Sequence, residues 1–175
     1  MHINYEFKAR VDNLPDLEAT LASLSPLYKG EDHQVDTYFN VAHGRMKLRE
    51  GNIEHALIHY ERTNVAGAKQ SNVLLYQHPS DPSLKQILLT ALGVKAIVDK
   101  QRKIYFIDNV KFHFDTVKEL GTFVEVEAID KDGSIGLETL KKQCDEYKAL
   151  FQLQEEQFIA ESYSDLLLAK KSSLA

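Results

Sequence analysis

Apolar and polar residues alternate along several segments of the chain, beginning close to the N-terminus. In residues 3–10 every second position is apolar, and Glu6, Lys8 and Arg10 share the opposite side. This period-two alternation predicts a β-strand with one charged face. By the same pattern, further strands are predicted at residues 35–39, 45–49, 56–61, 73–76, 98–107, 111–117 and 122–129.

Segments with the helical spacing of apolar residues lie between and after these strands. Asn13 can cap one helix, and Asp81 with Pro82 can begin another that Gly93 ends, because these residue types favour those positions. The predicted helices occupy residues 13–24, 81–93, 135–151 and 162–169. Short turns such as the one at Gly51 join neighbouring strands as hairpins. We therefore predict an α+β fold in which most strands are antiparallel.

Length and composition limit the class of protein. A chain of 175 residues with 43% hydrophobic residues suits one domain, which we place at residues 1–169, followed by a polar tail at residues 170–175. The net charge of −5 gives no general attraction to nucleic acid or to anionic membranes, so neither is a predicted partner.

No apolar segment is long enough to cross a bilayer, and the lone Cys144 suits a reduced, buried thiol. A cytoplasmic location is expected. A homodimer is left open.

Charged residues share one face in several predicted strands, because residues two apart in a strand point the same way. These sets are Glu6, Lys8 and Arg10; Lys47 and Arg49; Lys100 and Arg102; Lys111, His113 and Asp115; and Glu125 and Glu127. If the charged faces meet solvent, they form an ordinary wet sheet surface. If the sheet instead closes into a barrel whose outside the helices cover, they point into the lumen. There the basic groups need an anion such as a polyphosphate.

Carboxylates in the last predicted strand indicate a metal site. Glu125 and Glu127 point the same way, and Mg²⁺ and Mn²⁺ prefer hard oxygen ligands, which they often share with substrate phosphates. His113 lies on the same face as Lys111 and Asp115. Either a role in the lumen or an ordinary hydrogen-bonded role fits this histidine.

A series of short motifs, in order along the chain, resembles the motifs of one family. They are Glu6-Phe7-Lys8-Ala9-Arg10, Asp36-Thr37-Tyr38-Phe39, Lys47-Leu48-Arg49-Glu50, Lys100-Gln101-Arg102, Phe123-Val124-Glu125-Val126-Glu127 and Glu161-Ser162-Tyr163. By these residues the chain resembles the CYTH family of triphosphate tunnel enzymes, most closely the class IV adenylyl cyclases.

The resemblance implies an eight-stranded antiparallel β-barrel, the tunnel, with flanking helices and with an organic or inorganic triphosphate bound inside beside Mg²⁺ or Mn²⁺. It implies phosphate contacts at Lys8, Arg10, Lys47, Arg49, Lys100 and Arg102, and metal ligands at Glu6, Glu125, Glu127 and Asp115. The implied reaction converts ATP to cyclic AMP and pyrophosphate. The alternatives are hydrolysis of thiamine triphosphate, inorganic triphosphate or a nucleoside triphosphate, and binding without turnover. The resemblance identifies no general base.

Two positions depart from the family pattern. Asn4 stands where a first-strand glutamate is expected, which removes a charge near the metal. Glu61 stands where a lysine is usual, which replaces a cation by an anion. Both changes predict weaker binding of metal or phosphate than in a member with the full motifs.

Overall fold

A computed structural model describes residues 2–62 and 67–173 of the chain. Its strands are β1 (His2–Arg10), β2 (Leu27–Phe39), β3 (Arg45–Glu50), β4 (His55–Arg62), β5 (Lys69–Gln77), β6 (Val94–Ile107), β7 (Val110–Val117) and β8 (Gly121–Asp130). Its helices are α1 (Leu14–Ala22), α2 (Pro82–Leu92), α3 (Leu137–Leu150) and α4 (Tyr163–Ser172), with a 3₁₀ turn at Glu155–Gln157. Among the described residues, no helix is long and apolar enough to cross a membrane.

The strands form one closed antiparallel barrel. Their order around it is β1-β5-β4-β3-β2-β6-β7-β8, and β1 closes the ring by pairing with both β5 and β8. The predicted α+β fold with an eight-stranded antiparallel barrel and flanking helices is therefore confirmed.

The outer face of the barrel is apolar where the helices pack on it. Leu140 and Cys144 of α3 belong to the same buried cluster as Phe7, Phe112 and Val126 on the outside of β1, β7 and β8. A second cluster joins α2 to β2 and β3, and α4 packs beside β6. Because successive residues in a strand point to opposite faces, the charged positions of these strands point inward. The structure thus supports the lumen interpretation of the charged faces.

Three strands begin four or more residues earlier than the sequence predicted, and one of them, β6, begins at Val94 instead of residue 98. β2 starts at Leu27 rather than at residue 35, because residues 29–34 are polar or glycine and carry no alternation of apolar residues. Their strand conformation comes from ladder pairing with β6, a contact distant in sequence. β5 starts at Lys69, at the end of a predicted loop whose residues 64–66 lie outside the described part of the chain.

The helix ends agree with the prediction in part. The carboxylate of Asp81 accepts a 2.8 Å hydrogen bond from the backbone N–H of Ser83, and Gly93, with φ of 67°, ends α2. Asn13 occupies the N-cap position of α1, but its side chain makes no capping bond to the backbone. α4 continues to Ser172, so most of the predicted polar tail that the structure describes is helical.

Candidate functional site

A cavity of about 460 Å³ lies inside the barrel. The residues predicted to bind phosphate that line it are Lys8, Lys47, Arg49, Lys100 and Arg102. The predicted metal ligands that line it are Glu6, Glu125 and Glu127. These side chains come from β1, β3, β6 and β8, and the barrel brings them together although they are far apart in the sequence.

The cationic wall of the cavity is organised around Asp36 on β2. Lys47 and Lys100 each donate a 2.8 Å hydrogen bond to its Oδ2 atom. Arg49 donates to both oxygens, at 2.9 and 3.0 Å. Although burial favours the neutral acid, these three cations hold the pKa of the Asp36 carboxyl well below its usual value. Burial lowers the pKa of Lys100 to about 7, with Asp36 opposing the shift and neighbouring arginines reinforcing it.

Arg102 is held by a second buried carboxylate. Its guanidinium donates to both oxygens of Asp115, at 2.7 and 2.6 Å, and to Glu125 at 2.9 Å. The hydroxyl of Tyr163 also donates to Asp115, at 2.7 Å. Asp115 is fully buried, and both of its oxygens are occupied by these hydrogen bonds. The resemblance implied that Asp115 is a metal ligand. In the structure this carboxylate instead holds the Arg102 guanidinium in position.

The basic residues of the cavity wall have carboxylate partners in the protein itself. Each of the five forms an ion pair, and the longest joins Lys8 Nζ to Glu125 Oε1 at 3.7 Å. Carboxylates of the barrel, chiefly Asp36 and Asp115, therefore neutralise part of this positive charge before any ligand binds, and binding of an added anion stays a prediction. A triphosphate alone competes with these carboxylates for the cations, whereas a metal-bound triphosphate brings less negative charge.

Two residues singled out in the sequence lie away from the cavity. Arg10 is exposed at the end of β1, where its Cζ lies 4.6 Å from the centroid of the Phe123 ring and its guanidinium donates to the Leu120 carbonyl. Glu61 is exposed on the outside of β4, since its neighbour Tyr60 lines the lumen. The predicted effect of Glu61 on phosphate binding therefore has no structural basis.

The carboxylates of β1 and β8 form an acidic wall that meets the cations at Glu125, which lies 2.9 Å from Arg102 and 3.7 Å from Lys8. Glu6 is the register partner of Glu127, and both line the cavity. Burial, the charge of Glu125 and the charge of Glu6 raise the pKa of Glu127 to about 7. The buried Oδ1 of Asn4, next along the lumen face of β1, has no hydrogen-bond partner among the described residues. Glutamate and amide oxygens are the donors that Mg²⁺ and Mn²⁺ prefer, so this wall fits the divalent metal that the resemblance implies.

The charged residues that sequence reasoning missed include Glu54, which lines the cavity, and Lys69, which shares a face of β5 with the cavity residue Ser71. Glu54, in the turn between β3 and β4, accepts hydrogen bonds from Arg49 at 2.9 Å and from Lys111 at 2.5 Å, and so joins two walls. Lys69 is 3% exposed, and its Nζ donates to the carbonyl of Ala160 at 2.8 Å. Neither position carried a signal, because Glu54 lies in a turn and Lys69 ended a predicted loop.

Part of the cavity wall is apolar. The side chains that form it include Ile58, Val73, Leu75, Phe106 and Ile129. Ser162 and Tyr163, at the start of α4, complete the wall, and the ring of Tyr163 lies 4.1 Å from Lys8 Nζ. The cavity therefore offers space for an organic group beside its charged surfaces.

Similar folds occur in proteins of known structure. A conserved hypothetical protein from Pyrococcus furiosus is 21% identical, with a TM-score of 0.78 over 93% of this chain and 99% of that one. A candidate adenylate cyclase from Vibrio parahaemolyticus is 16% identical, with a TM-score of 0.73 over 94% of this chain and 97% of that one. A candidate adenylyl cyclase from Hippeastrum, described as having a dominant triphosphatase activity, is 14% identical, with a TM-score of 0.60 over 98% and 96% of the two chains.

At these identities the similarities establish the fold alone, and no curated protein matches the sequence. The family itself follows from the sequence, since residues 2–163 match the CYTH domain. That match spans all eight strands and ends at Tyr163, the residue of α4 that reaches the lumen. The chain therefore belongs to the CYTH family.

Proposed function

We propose that the barrel binds an organic triphosphate together with Mg²⁺ or Mn²⁺ and converts ATP to cyclic AMP and pyrophosphate. The observation that carries this proposal is the meeting of two kinds of wall in one cavity. Basic side chains held by Asp36 and Asp115 form one wall, and Glu6, Glu125 and Glu127 form the other. A metal triphosphate presents both charges that these walls complement.

Each wall has a role in this proposal. The phosphate oxygens are bound by Lys8, Lys47, Arg49, Lys100 and Arg102. The carboxylates of β1 and β8 hold the metal, which when bound supplies Lewis-acid stabilisation of phosphate charge. The apolar wall around Phe106 and Ile129 accommodates the organic group.

In the cyclase reaction the 3′ oxygen of the ribose bonds to the α-phosphorus. The bond from that phosphorus to the bridging oxygen breaks, pyrophosphate leaves with the electron pair, and the hydroxyl proton is released. The side chains contribute by positioning the triphosphate and by stabilising the charge that moves onto the leaving oxygens. The fixed salt bridges of Arg102 and Arg49 keep these donors in place before the substrate arrives.

Hydrolysis of a triphosphate is the second candidate, because the Hippeastrum protein of similar fold is described as mainly a triphosphatase. In that reaction water attacks the γ-phosphorus instead of the ribose hydroxyl attacking the α-phosphorus. Binding without turnover is the third candidate, supported by Asn4 in place of a glutamate on the metal wall. The buried thiol of Cys144 agrees with the cytoplasmic location that we include in the proposal.

Product analysis separates the three candidates. Purified protein is incubated with ATP, inorganic triphosphate or thiamine triphosphate, with Mg²⁺ or Mn²⁺, and the products are identified by phosphorus NMR. Cyclic AMP with pyrophosphate supports the cyclase, orthophosphate supports hydrolysis, and binding without products supports the third candidate.

Two variants of one strand provide the matched control. Lys100→Gln removes a cation from the cavity, whereas Lys103→Gln removes one from the outside of β6, where Lys103 pairs with Glu18. Activity or binding should fall at least about tenfold in the first variant and stay unchanged in the second. Equal effects of the two substitutions would contradict a lumen site.

A further inference from the structure

A buried imidazole lies against the two glutamates of β8. His113 Nδ1 is 3.3 Å from Glu125 Oε2 and 3.7 Å from Glu127 Oε1. One ligand atom from each of the three residues lies within 4.8 Å of the other two. Neighbouring ligands about 2.1 Å from one divalent ion stand roughly 3.0–3.4 Å apart. The three side chains are therefore close to the spacing of ligands that share one ion.

The barrel fixes this imidazole in position. His113 is 1% exposed, and β7 pairs it with Glu125 on one side and with Ile104 on the other. Its Nε2 atom is buried without a hydrogen-bond partner among the described residues, and either ring nitrogen of an imidazole can bind a metal.

A second observation points to a ligand on the same wall. Asn4 is 5% exposed, lines the cavity beside Glu6, and its Oδ1 atom has no hydrogen-bond partner in the part of the chain that the structure describes. A buried acceptor without a donor is costly. A cation, or water bound to that cation, would satisfy it.

We propose that His113 is a nitrogen ligand of a mixed centre with Glu125 and Glu127, and that this centre selects first-row transition ions such as Mn²⁺ over Mg²⁺. The chemical reason is that Mg²⁺ takes oxygen ligands almost exclusively, whereas first-row transition ions also accept imidazole nitrogen, Mn²⁺ more weakly than the later ions of the row. This inference rests on the proposed function because it concerns the metal of the same site, and its test needs no substrate.

The test is pulsed EPR spectroscopy of Mn²⁺ bound to the wild-type protein without nucleotide. Modulation from a directly bound ¹⁴N nucleus is expected, and His113→Gln should remove it. Calorimetric titration should show Mn²⁺ binding weakened at least about tenfold in that variant and Mg²⁺ binding changed less than about threefold. His59→Gln is the matched control, because His59 lies on the outside of β4 and contacts the carbonyl of His43.

Results that contradict the ligand role of His113 differ from a result that contradicts only the proposed function. Absence of Mn²⁺ binding, or Mn²⁺ bound without nitrogen modulation in the wild type, overturns the inference, and this measurement stands even if His113→Gln fails to fold. An equal loss of Mn²⁺ and Mg²⁺ affinity overturns it as well, because it indicates a structural role for His113. A nitrogen-ligated Mn²⁺ in a protein that neither binds nor converts any triphosphate overturns only the proposed function.

Discussion

Lys100 and Asp36 form a salt bridge of 2.8 Å inside the barrel, where each side chain is only 1% exposed. They are 64 residues apart and come from β6 and β2, which lie side by side. Lys47 and Arg49 compete for the same carboxylate. Burial lowers the pKa of Lys100 to about 7. Asp36 offsets only part of this shift, because two other cations share its charge.

Triphosphate binding should therefore take up a proton through Lys100. At pH 8 a lysine with a pKa of about 7 is mostly neutral, and an anion placed beside it favours the charged form. We expect an uptake approaching one proton at pH 8 with Mn²⁺ saturating, and less at pH 6, where Lys100 is already protonated. Calorimetry in two buffers of different ionisation enthalpy measures this uptake.

Lys100→Arg tests the assignment, because a guanidinium stays protonated and has no proton to gain. Its proton uptake at pH 8 should fall close to zero. Lys103→Arg, on the exposed side of the same strand, should behave as the wild type. Uptake that persists in Lys100→Arg would place the titrating group elsewhere.

Asp115→Asn should destabilise the fold rather than only weaken metal binding. Asp115 accepts two bonds from Arg102 and one from Tyr163 in a fully buried position. Removing its charge leaves Arg102 buried with Glu125 as a remaining partner, so we expect a loss of roughly 3 kcal/mol in the free energy of unfolding. Denaturant unfolding without metal measures it. Asp99→Asn, where a 38% exposed side chain pairs with His33, should cost less than about 0.5 kcal/mol. Similar costs at both positions would contradict the buried role.

Much of the barrel could be predicted from local pattern. Strands with one apolar and one charged face, such as β1, β7 and β8, show an alternation of apolar and charged residues in the sequence itself. This pattern can be recognised without knowing which strands lie beside them. The first half of β2 does not, because its strand conformation depends on pairing with β6. The resemblance also placed Glu61 on the wrong face of β4, where Tyr60 and not Glu61 lines the cavity. A resemblance aligns positions in the sequence but does not determine which way a side chain points.

The cations of the site could be predicted and their partners could not. Lys8, Lys100 and Arg102 stand at alternate positions of clear strands. The anions that hold them come from other strands, and sequence spacing carries no information on such contacts. The sequence placed His113 on the same strand face as Lys111 and Asp115 but left its role open, because its distances to Glu125 and Glu127 depend on the register of β7 with β8.

Asn4→Glu should strengthen metal binding, and Glu61→Lys should not. A glutamate at position 4 places a third carboxylate beside Glu6 and Glu127, which favours a divalent cation by charge. We expect Mg²⁺ or Mn²⁺ affinity to rise about tenfold. Glu61 faces away from the lumen, so its variant should bind metal and triphosphate as the wild type does. Calorimetric titration of both single variants with metal, and of Glu61→Lys with triphosphate, measures these affinities. A gain that appears only with Glu61→Lys would show that the lumen assignment of β4 is inverted.

Glu127→Gln should make the metal-free protein more stable at neutral pH while removing metal binding. The pKa of Glu127 is about 7 in the folded protein, against 4.5 for the unperturbed group. Between these values the unfolded chain has released the proton and the folded protein retains it. Stability therefore falls as pH rises through this window, and the loss persists above pH 7. Glutamine has no charge to bury beside Glu125 and Glu6, so the variant avoids this loss.

The expected gain is on the order of 2 kcal/mol at pH 8, or several degrees in the melting temperature, with little difference at pH 4. Thermal melts in EDTA at the two pH values measure it, and Glu156→Gln, at an exposed carboxylate, provides the control. With Mn²⁺ and ATP present the order should reverse, because the wild type gains the free energy of ligand binding and the variant does not. A variant that is less stable than the wild type in EDTA at pH 8 would mean that Glu127 serves the fold. A variant that still binds metal as the wild type does would mean that this carboxylate is not a ligand.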